Sequence, residues 1–302
     1  MNSKAIAAAA LIVASLPAAA LEDADVYLQA RASLVQLVAG SSEGRYWLGS
    51  GVALPGGAVV TNCHVTHHAD GVAPFWDNSG VKAESQRADV LHDLCVIRIP
   101  GLSLRPARVA SSRDLKVGDK VYAIGFNGGR RLTYDTGEVS DLFNYDGGMV
   151  IRTTAAFSQG ASGGGLFDAQ GRLVGILTFF RVSGETAYFA VPVEWISSVE
   201  QVAPSTIHPI DGIAFWAQAL ERQPPFLHAG ALEADRDWEK LFEFATTWAQ
   251  SDPSDRHAWY TLAKAASETG RHETAKAAVK RAAQYDIAGD DHYVAVTPVV
   301  AP

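Results

Sequence analysis

Short apolar or alternating runs, separated by turn residues, recur along the chain from residue 33 to residue 192. The runs are rich in Val, Ile, Leu and Thr, and the turns between them carry Gly, Asn, Asp or Pro. Many short strands with frequent turn signals are typical of an all-β barrel or sandwich. The pattern therefore predicts a mainly β region, which starts with a strand over residues 33–39 after a short helix or arm.

A different pattern begins near Trp195. Residues 192–199 predict a short helix that closes the β region, and residues 203–209 contain two prolines, which is typical of a linker. Apolar positions then repeat with a period of about 3.6 residues, as in amphipathic helices. This pattern predicts helices over residues 212–220, 235–250, 254–268 and 272–285.

The last two of these helices resemble a tetratricopeptide repeat. The large and small packing positions of that repeat are matched by Trp259, Leu262, Ala263, Gly270, Ala275, Val279 and Ala282. Pro253 would close a preceding, more degenerate copy. An ordinary amphipathic helical hairpin is the alternative. We expect the helical region to lean on the β region and to bind a protein partner.

Length, charge and the N-terminus narrow the class of protein. A chain of 302 residues can form two domains, and a formal net charge of −8 argues against a broad attraction to nucleic acid or to an anionic membrane. Lys4, the apolar run over residues 5–16 and the small residues 17–20 are typical of a secretory signal peptide. The run is short for a membrane span. We therefore expect residues 1–20 to be removed and the protein to be periplasmic or secreted.

Ser162 lies in the glycine-rich stretch over residues 160–165. Glycine permits sharp turns and close backbone approach, which a nucleophilic serine beside exposed N–H groups requires. A hairpin loop whose serine only bonds the backbone is the alternative. Upstream, His64 follows one predicted strand and Asp93 opens another. Hydroxyl, imidazole and carboxylate together are the groups that nucleophilic serine catalysis needs.

The motifs around these residues resemble a serine protease of the trypsin/chymotrypsin clan, and within it the bacterial Deg-type (high-temperature-requirement) branch. They are GSGV at 49–52, TNCHV at 61–65, DLCVI at 93–97, VGDKVYAIG at 117–125, GASGG at 160–164 and FAVP at 189–192. The resemblance implies two six-stranded antiparallel β-barrels with the site in the cleft between them. We expect a protease domain over residues 21–203 and a helical domain over residues 204–302.

The resemblance also implies a role for each site residue. Ser162 would attack the peptide carbonyl, His64 would remove its proton, and Asp93 would accept the other imidazole N–H. The backbone N–H groups of Gly160 and Ser162 would form the oxyanion hole. We expect a serine endopeptidase that acts on a protein or peptide substrate, with no cofactor and no metal ion.

Substrate contacts are expected from Ala156, Thr178, Phe179 and Phe180. Ala156 matches the base of the primary specificity pocket in the family and offers no charge, so we expect cleavage after small or medium apolar residues. Thr178 is expected near Asp93. Phe180 replaces a residue that is often small, which would narrow the subsite. Plain barrel packing is the alternative for both phenylalanines.

The two cysteines lie beside the expected site residues. Cys95 shares a strand face with Asp93, so it approaches Cys63 if Asp93 reaches His64. Export favours a disulfide between them. Free thiols remain an alternative, as does a zinc site that includes nearby histidines, although the spacing matches no standard zinc motif.

Two other functions fit parts of the sequence. The GASGG motif also fits the nucleophile elbow of a serine esterase, but that fold places Asp and His after the serine and alternates strands with helices. A catalytically silent secreted scaffold could act through the helical region alone. Such a scaffold has no need of His64, Asp93 and Ser162 together.

Overall fold

The computed structural model describes residues 21–75, 81–183 and 185–285. The expected signal peptide, residues 1–20, lies outside these described residues. Within them, no helix has both the length and the apolar character that a membrane crossing requires.

The first half of the chain forms a six-stranded antiparallel sheet with the order β4-β1-β2-β3-β6-β5. Its strands are β1 (Leu34–Gly40), β2 (Tyr46–Ala53), β3 (Ala58–Thr61), β4 (Gly71–Pro74), β5 (Ser85–Asp89) and β6 (Leu94–Arg98). In the described part of the chain, the two outer strands β4 and β5 do not pair with each other. This sheet is therefore a half-barrel.

The second half forms a closed six-stranded barrel with the order β10-β11-β12-β9-β8-β7, in which β10 pairs with β7. Its strands are β7 (Lys120–Asn127), β8 (Arg131–Tyr145), β9 (Gly148–Thr153), β10 (Gly165–Asp168), β11 (Leu173–Ser183) and β12 (Glu185–Pro192). The prediction of a mainly β, chymotrypsin-like architecture is confirmed. The expectation of two closed barrels is wrong for the first unit: among the described residues only the second unit is closed by hydrogen bonds, because β4 and β5 do not pair.

The side chains on the two faces of the first sheet pack in two different apolar cores. Successive side chains of a strand point to opposite faces, so Val35 and Leu37 pack in the core of the first sheet, together with Ile97. Leu34 points the other way and joins the large core that includes Ile124 of the barrel. Because one apolar core spans both β units, the cleft between them has rigid walls.

Helices are short in the β region and longer after it. They are α1 (Asp23–Arg31), α2 (Cys63–Thr66), α3 (Trp195–Gln201), α4 (Pro225–Ala234), α5 (Trp238–Ser251), α6 (Arg256–Glu268) and α7 (His272–Ala282). The predictions of the last three helices agree with α5, α6 and α7 to within a few residues. The side chains of Asp237 and Asp255 cap α5 and α6 by accepting backbone N–H bonds, which satisfies otherwise orphaned donors.

The predicted helix over residues 212–220 is wrong, and α4 was not predicted. Gly212 has φ +127°, outside the helical region, and the range contains only the short 3₁₀ turn Phe215–Ala217 and the start of another at Leu220. Phe215 is buried in the core shared by the two β units, so tertiary packing overrides the helical period here. At α4, two consecutive prolines mark the start, because Pro is favoured at the first helical position.

Residues 206–223 form an extended segment, here called the strap, that runs over both β units. The Ile210 N–H donates to the His67 carbonyl at 3.0 Å, and the Phe215 N–H donates to the Leu91 carbonyl at 2.8 Å. The strap therefore attaches to the first sheet next to the segments that carry His64 and Asp93, before the chain enters α4.

The C-terminal helices pack together and against the barrel. Leu241, Trp248 and Leu262 belong to the apolar core between the helices. At the barrel, Phe226 stacks on Phe143 with ring centroids 4.3 Å apart. The helical region therefore leans on the β region, as expected from the sequence.

A buried histidine strengthens this contact between helices and barrel. The Nε2 atom of His257 on α6 lies 2.8 Å from Asp141 Oδ1 on β8, and its Nδ1 atom lies 3.2 Å from Asp255 Oδ1. Burial alone lowers the pKa of His257. The charge of Asp141 and the hydrogen bonds with both carboxylates outweigh burial and raise that pKa to about 9.

This contact predicts a loss of stability in base. The folded-state pKa of His257 lies above the unfolded value near 6.5, so its contribution is fully present below pH 6.5 and is lost as the pH rises through 9. We expect the free energy of unfolding to fall over that window by on the order of 3 kcal/mol. Urea unfolding at pH values from 6.5 to 9.5 measures this decrease in the free energy of unfolding. In His257→Gln this part of the pH dependence disappears, whereas the exposed control His208→Gln retains it; identical slopes in all three proteins would contradict the prediction.

Candidate active site

His64 and Asp93 form a paired unit in the first sheet. His64 lies in α2, a single turn after β3, and Asp93 lies in the turn between β5 and β6. His64 Nδ1 is 2.6 Å from Asp93 Oδ2, and the His64 backbone N–H donates to Asp93 Oδ1 at 2.8 Å. Both carboxylate oxygens therefore face one residue, which fixes the orientation of the imidazole.

The two members of this pair differ in exposure. Asp93 is 1% exposed, whereas the His64 side chain is 35% exposed and reaches the cleft. Asp93 has φ +58°, a left-handed conformation that an L-residue adopts at a cost of about 1–2 kcal/mol. A buried carboxylate in a strained backbone is stable only where its surroundings supply strong compensating contacts.

Asn62 and Thr178 support Asp93 from its backbone side. The Asn62 side-chain amide donates to the Asp93 carbonyl at 3.0 Å and to the Thr178 hydroxyl at 3.1 Å. The Thr178 hydroxyl donates in turn to the Ile176 carbonyl at 2.8 Å. Thr178 thus lies near Asp93 and is linked to it through Asn62.

Trp216 of the strap also contacts this carboxylate. Its indole Nε1–H donates to Asp93 Oδ2 at 3.0 Å, and its ring lies edge-on to His64 with centroids 5.7 Å apart. Sequence reasoning missed this residue because its segment resembled a helix far along the chain, and no local motif marks the contact.

Ser162 lies on the loop between β9 and β10, which leads into the barrel strand β10. Its backbone carbonyl accepts from the Ser50 N–H at 2.8 Å, and its Oγ lies 3.5 Å from the Thr178 carbonyl. In the described structure no hydrogen bond joins the Ser162 hydroxyl to His64. Such bonds are often long without substrate and tighten in the reactive complex.

Ser162 and His64 nevertheless line one cleft. Its volume is about 590 Å³, and its wall combines residues of the first sheet with loops of the barrel: Tyr46, Trp47, Leu48, His64, Val65, Gly128, Gly129, Gln159, Gly160 and Ser162. The hydroxyl, the imidazole and the expected oxyanion-hole residues are therefore brought together, from segments about 100 residues apart.

The glycines around Ser162 have specific conformational reasons. Gly160 has φ +90°, and a Cβ there would collide with the backbone of Gly129 and Phe126. The hydroxyl of Ser50 accepts from the Phe126 N–H at 2.9 Å and donates to the Gly160 carbonyl at 2.8 Å. Among the described residues, the Gly160 and Ser162 N–H groups donate to no protein acceptor, so they are available to a ligand.

The remaining expected substrate residues lie along β11 and in the loop between β9 and β10, before Ser162. Phe179 is buried and stacks between Phe189 at 4.6 Å and Trp216 at 5.1 Å, as expected of packing. Phe180 is 38% exposed and lies 6.3 Å from Phe157. The Ala156 N–H donates to Asp135 Oδ2 at 2.7 Å.

Tyr188 completes an aromatic cluster with Phe157 and Phe180. Its ring centroid lies 5.3 Å from that of Phe157 and 6.0 Å from that of Phe180. Three large rings therefore fill the space between the segment before Ser162 and the outer part of β11.

Cys63 and Cys95 form a disulfide, with Cα atoms 4.9 Å apart. Cys63 directly precedes His64, and Cys95 lies two residues after Asp93. The bond therefore holds α2, which contains Cys63, to β6, which contains Cys95. Both sulfurs are used, and they are therefore not thiolate ligands for a metal. Among the described residues, no group of three His, Cys, Asp or Glu side chains could hold a metal ion.

His92, the residue before Asp93, links the first sheet to the barrel. Its Nδ1 lies 2.6 Å from Asp89 Oδ2, its Nε2 lies 2.9 Å from Asp146 Oδ2, and its ring packs on Trp195 at 4.1 Å. Burial lowers the pKa of His92, but its hydrogen bonds with Asp89 and Asp146 and the charges of both carboxylates outweigh this and raise it above the usual value. Through these contacts His92 connects the turn that carries Asp93 to both β units.

Residues 49–176 match the family described as a trypsin-like peptidase domain. This part of the chain is therefore similar to trypsin-like peptidase domains. The resemblance of its motifs to Deg-type serine proteases is confirmed by curated relatives and by solved structures.

Two curated relatives illustrate the extent of the match. The chain is 36% identical to Protease Do-like 1, chloroplastic, of Arabidopsis thaliana in an alignment of 176 residues that covers 53% of this chain and 40% of the relative. It is 34% identical to the serine endoprotease DegS of Haemophilus influenzae in an alignment of 167 residues that covers 50% of this chain and 48% of the relative. The match therefore spans less than half of the length of each relative.

Solved structures match a similar part of the chain. The HtrA-type protease AlgW with tripeptide is 29% identical with a TM-score of 0.52, covering 59% of this chain and 62% of that chain. The serine endoprotease from Yersinia pestis is 27% identical with a TM-score of 0.53, covering 62% of this chain and 67% of that chain. Each of these matches leaves more than a third of this chain uncovered.

The loop geometry predicts a large effect of one methyl group beside Ser162. Gly163 has φ +84°, and a Cβ there would collide with the Ser50 carbonyl and the Thr61 hydroxyl. We expect Gly163→Ala to lower the free energy of unfolding by about 3 kcal/mol or more, because backbone strain and overpacking add. Gly147→Ala is the matched control, since Gly147 has φ +75° with nothing within 4 Å of a Cβ. Equal losses in the two variants, measured by urea unfolding, would contradict this account.

Proposed function

We propose that the protein is a serine endopeptidase in which Ser162 is the nucleophile, His64 the general base and Asp93 the group that orients His64. The observation that carries this proposal is the double contact between the Asp93 carboxylate and His64, beside a cleft that His64 shares with Ser162. The relatives named as serine endoproteases support the same reaction class.

The geometry fits acyl transfer in two halves. The Ser162 Oγ attacks the peptide carbonyl carbon while its proton passes to His64 Nε2, and Asp93 stabilises the imidazolium through Nδ1–H. The tetrahedral intermediate then breaks the C–N bond, and His64 returns the proton to the leaving amine. Water, deprotonated by His64, hydrolyses the acyl ester on Ser162 in the second half and restores the free hydroxyl.

The backbone N–H groups of Gly160 and Ser162 are proposed to stabilise the oxyanion. They have no protein acceptor in the described structure, and Ser50 fixes the peptide that follows Gly160 by binding its carbonyl. Preorganised donors of this kind are commonly worth about 10²–10³ in rate each. This role also accounts for glycine at position 160, where a side chain would displace the loop.

A small apolar residue is the proposed substrate side chain before the scissile bond. Ala156 provides no charge, and the cluster of Phe157, Phe180 and Tyr188 leaves little room for a large side chain. Because a hydrophobic pocket discriminates by volume, alanine or valine should be accepted better than phenylalanine or lysine.

We further propose that the protein is exported, with cleavage after residue 20 and a protease domain over residues 21–203. The disulfide at Cys63–Cys95 supports an oxidising compartment, and several relatives have the word periplasmic in their names. Detection of mature protein that begins at residue 21 in a periplasmic or secreted fraction would test this.

The helices that follow the strap are proposed to act as a tetratricopeptide-like module for a protein partner. The packing of α5, α6 and α7 around a shared core of small and large apolar residues supports this assignment. Crosslinking of the full chain to its neighbours in the exported fraction tests it. Crosslinks confined to residues 21–203 would remove the proposed role of the helices.

The proposed nucleophile predicts selective chemistry at one serine. We expect a fluorophosphonate probe to label the wild-type protein at Ser162 and to leave Ser162→Ala unlabelled, because only an activated hydroxyl attacks the probe. Ser158→Ala is the matched control, since Ser158 is an exposed serine in the same loop and should not affect labelling. Absence of labelling in the wild-type protein would instead favour a catalytically silent scaffold.

The aromatic cluster predicts a change of specificity. We expect Phe180→Ala to raise cleavage after leucine or phenylalanine about 10-fold or more relative to alanine, because removing the ring opens the pocket. A peptide library with varied residues before the scissile bond measures this ratio. Val182→Ala, an exposed position two residues further along β11, serves as the control. An unchanged profile in Phe180→Ala would show that Phe180 does not bound the pocket.

A further inference from the structure

The strap brings a tryptophan from outside the matched peptidase region into the active site. The Trp216 Nε1–H donates at 3.0 Å to Asp93 Oδ2, the same oxygen that His64 Nδ1 contacts at 2.6 Å. Trp216 lies 123 residues from Asp93 and 40 residues beyond the end of the matched segment 49–176. The contact is therefore a property of the whole chain.

The indole is held in place from several sides. Its ring stacks on Phe179 with an interplanar angle of 12°, and it meets the His64 ring at 85°. The Trp216 carbonyl accepts from the Arg181 guanidinium at 3.3 Å and from the Gln223 side-chain amide at 3.2 Å. Ring and backbone are both fixed, so the N–H is preorganised toward the carboxylate.

The neighbouring residue anchors the strap. Phe215 is about 1% exposed in the core shared by the β units, and its backbone N–H donates to the Leu91 carbonyl at 2.8 Å. Leu91 lies two residues before Asp93. The strap is therefore attached to the same turn that presents the carboxylate.

The Asp93 carboxylate has few other donors. Among the described residues, its side-chain oxygens accept from His64 and Trp216 only. The Thr178 hydroxyl, although near, directs its proton to the Ile176 carbonyl. A carboxylate that is 1% exposed is costly to keep ionised without such donors, so the indole N–H supplies a contact that no other side chain replaces.

We propose that Trp216 is a positioning residue for catalysis: its indole N–H holds the Asp93 carboxylate in the orientation that aligns His64. This role rests on the proposed protease function, which it deepens. In the catalytic cycle the indole N–H keeps Oδ2 directed at His64 Nδ1 while the imidazole gains and loses its proton. The active site is then completed by the strap.

A purely structural role is the competing explanation, and the two differ in what a phenylalanine can replace. Phenylalanine retains an aromatic ring to stack on Phe179 but has no N–H to donate. If packing alone matters, Trp216→Phe preserves catalysis. If the hydrogen bond positions Asp93, catalysis falls although the fold is retained.

The kinetic test uses the full chain with Trp216→Phe. We expect kcat to fall roughly 10- to 100-fold with KM changed less than about 2-fold, since a hydrogen bond to a charged group is lost but substrate contacts remain. The rate of fluorophosphonate labelling should fall in parallel. Trp259→Phe is the matched control, because its indole N–H also donates one hydrogen bond, to the Pro253 carbonyl at 2.8 Å, but lies in α6.

A spectroscopic test is independent of turnover and of the folding of Trp216→Phe. In the ¹H–¹⁵N spectrum of the wild-type protein we expect a downfield, exchange-protected Trp216 indole resonance, which moves upfield in Asp93→Ala while that of Trp259 stays in place. An indole resonance that exchanges freely in the wild-type protein would overturn the hydrogen bond itself.

The outcomes separate the two proposals. If the wild-type protein labels at Ser162 and Trp216→Phe retains wild-type kcat, the positioning role is wrong and the protease function stands. If the wild-type protein neither labels nor cleaves, the protease function is wrong and the positioning role falls with it. A lower kcat in Trp216→Phe with normal Trp259→Phe kinetics supports both.

Discussion

The burial of one carboxylate is the constraint on which the site depends. Asp93 is almost fully inaccessible and has a left-handed backbone, and an ionised carboxylate in such a place is stable only with directed donors. Those donors come from three places: the backbone and the ring of His64, and the indole of Trp216. The turn, the α2 helix and the strap are therefore not independent features, because each supplies part of the environment of the same two oxygens.

The segments that meet at this carboxylate are held to one another by different kinds of bond. The Cys63–Cys95 disulfide ties α2 to β6, and the His92 contacts tie the Asp93 turn to the barrel. On the other wall of the cleft, Ser50 of the first sheet binds the loop that carries Ser162. Contacts between the β units therefore bring the Ser162 hydroxyl and the His64 imidazole to one cleft. The apolar core shared by the two units limits their movement relative to each other.

Local chemistry made part of this site predictable from the sequence. His64, Asp93 and Ser162 each lie in a motif whose glycines, strand flanks and order along the chain carry information, and Gly160 and Gly163 are required by their positive φ values. The disulfide is predicted by assigning Asp93 and Cys95 to one strand face; the bond is present, although Asp93 lies in the turn before β6 and not on the strand. These predictions depend on neighbours in sequence, where the physical rules are strongest.

The rest depends on contacts between distant segments. Residues 212–220 have a helical period, but burial of Phe215 and the contacts of Trp216 give a larger gain than a short exposed helix. The pairing of His257 with Asp141 has a similar origin, since the two lie 116 residues apart. The periodicity of apolar residues cannot predict either pairing, because His257 meets Asp141, and Trp216 meets Asp93, only in the completed fold.

The strap changes how the chain can be divided into modules. By composition, the boundary between the β region and the helices falls near residue 203, and this is where the sequence pattern alone would divide the chain into two domains. A cut there would separate Asp93 from Trp216, so the β region alone would lack one of the hydrogen-bond donors to the Asp93 carboxylate. The segment that contains Asp93 and all of these contacts therefore extends to Gln223, which binds the Trp216 carbonyl and is followed by the two prolines at the start of α4.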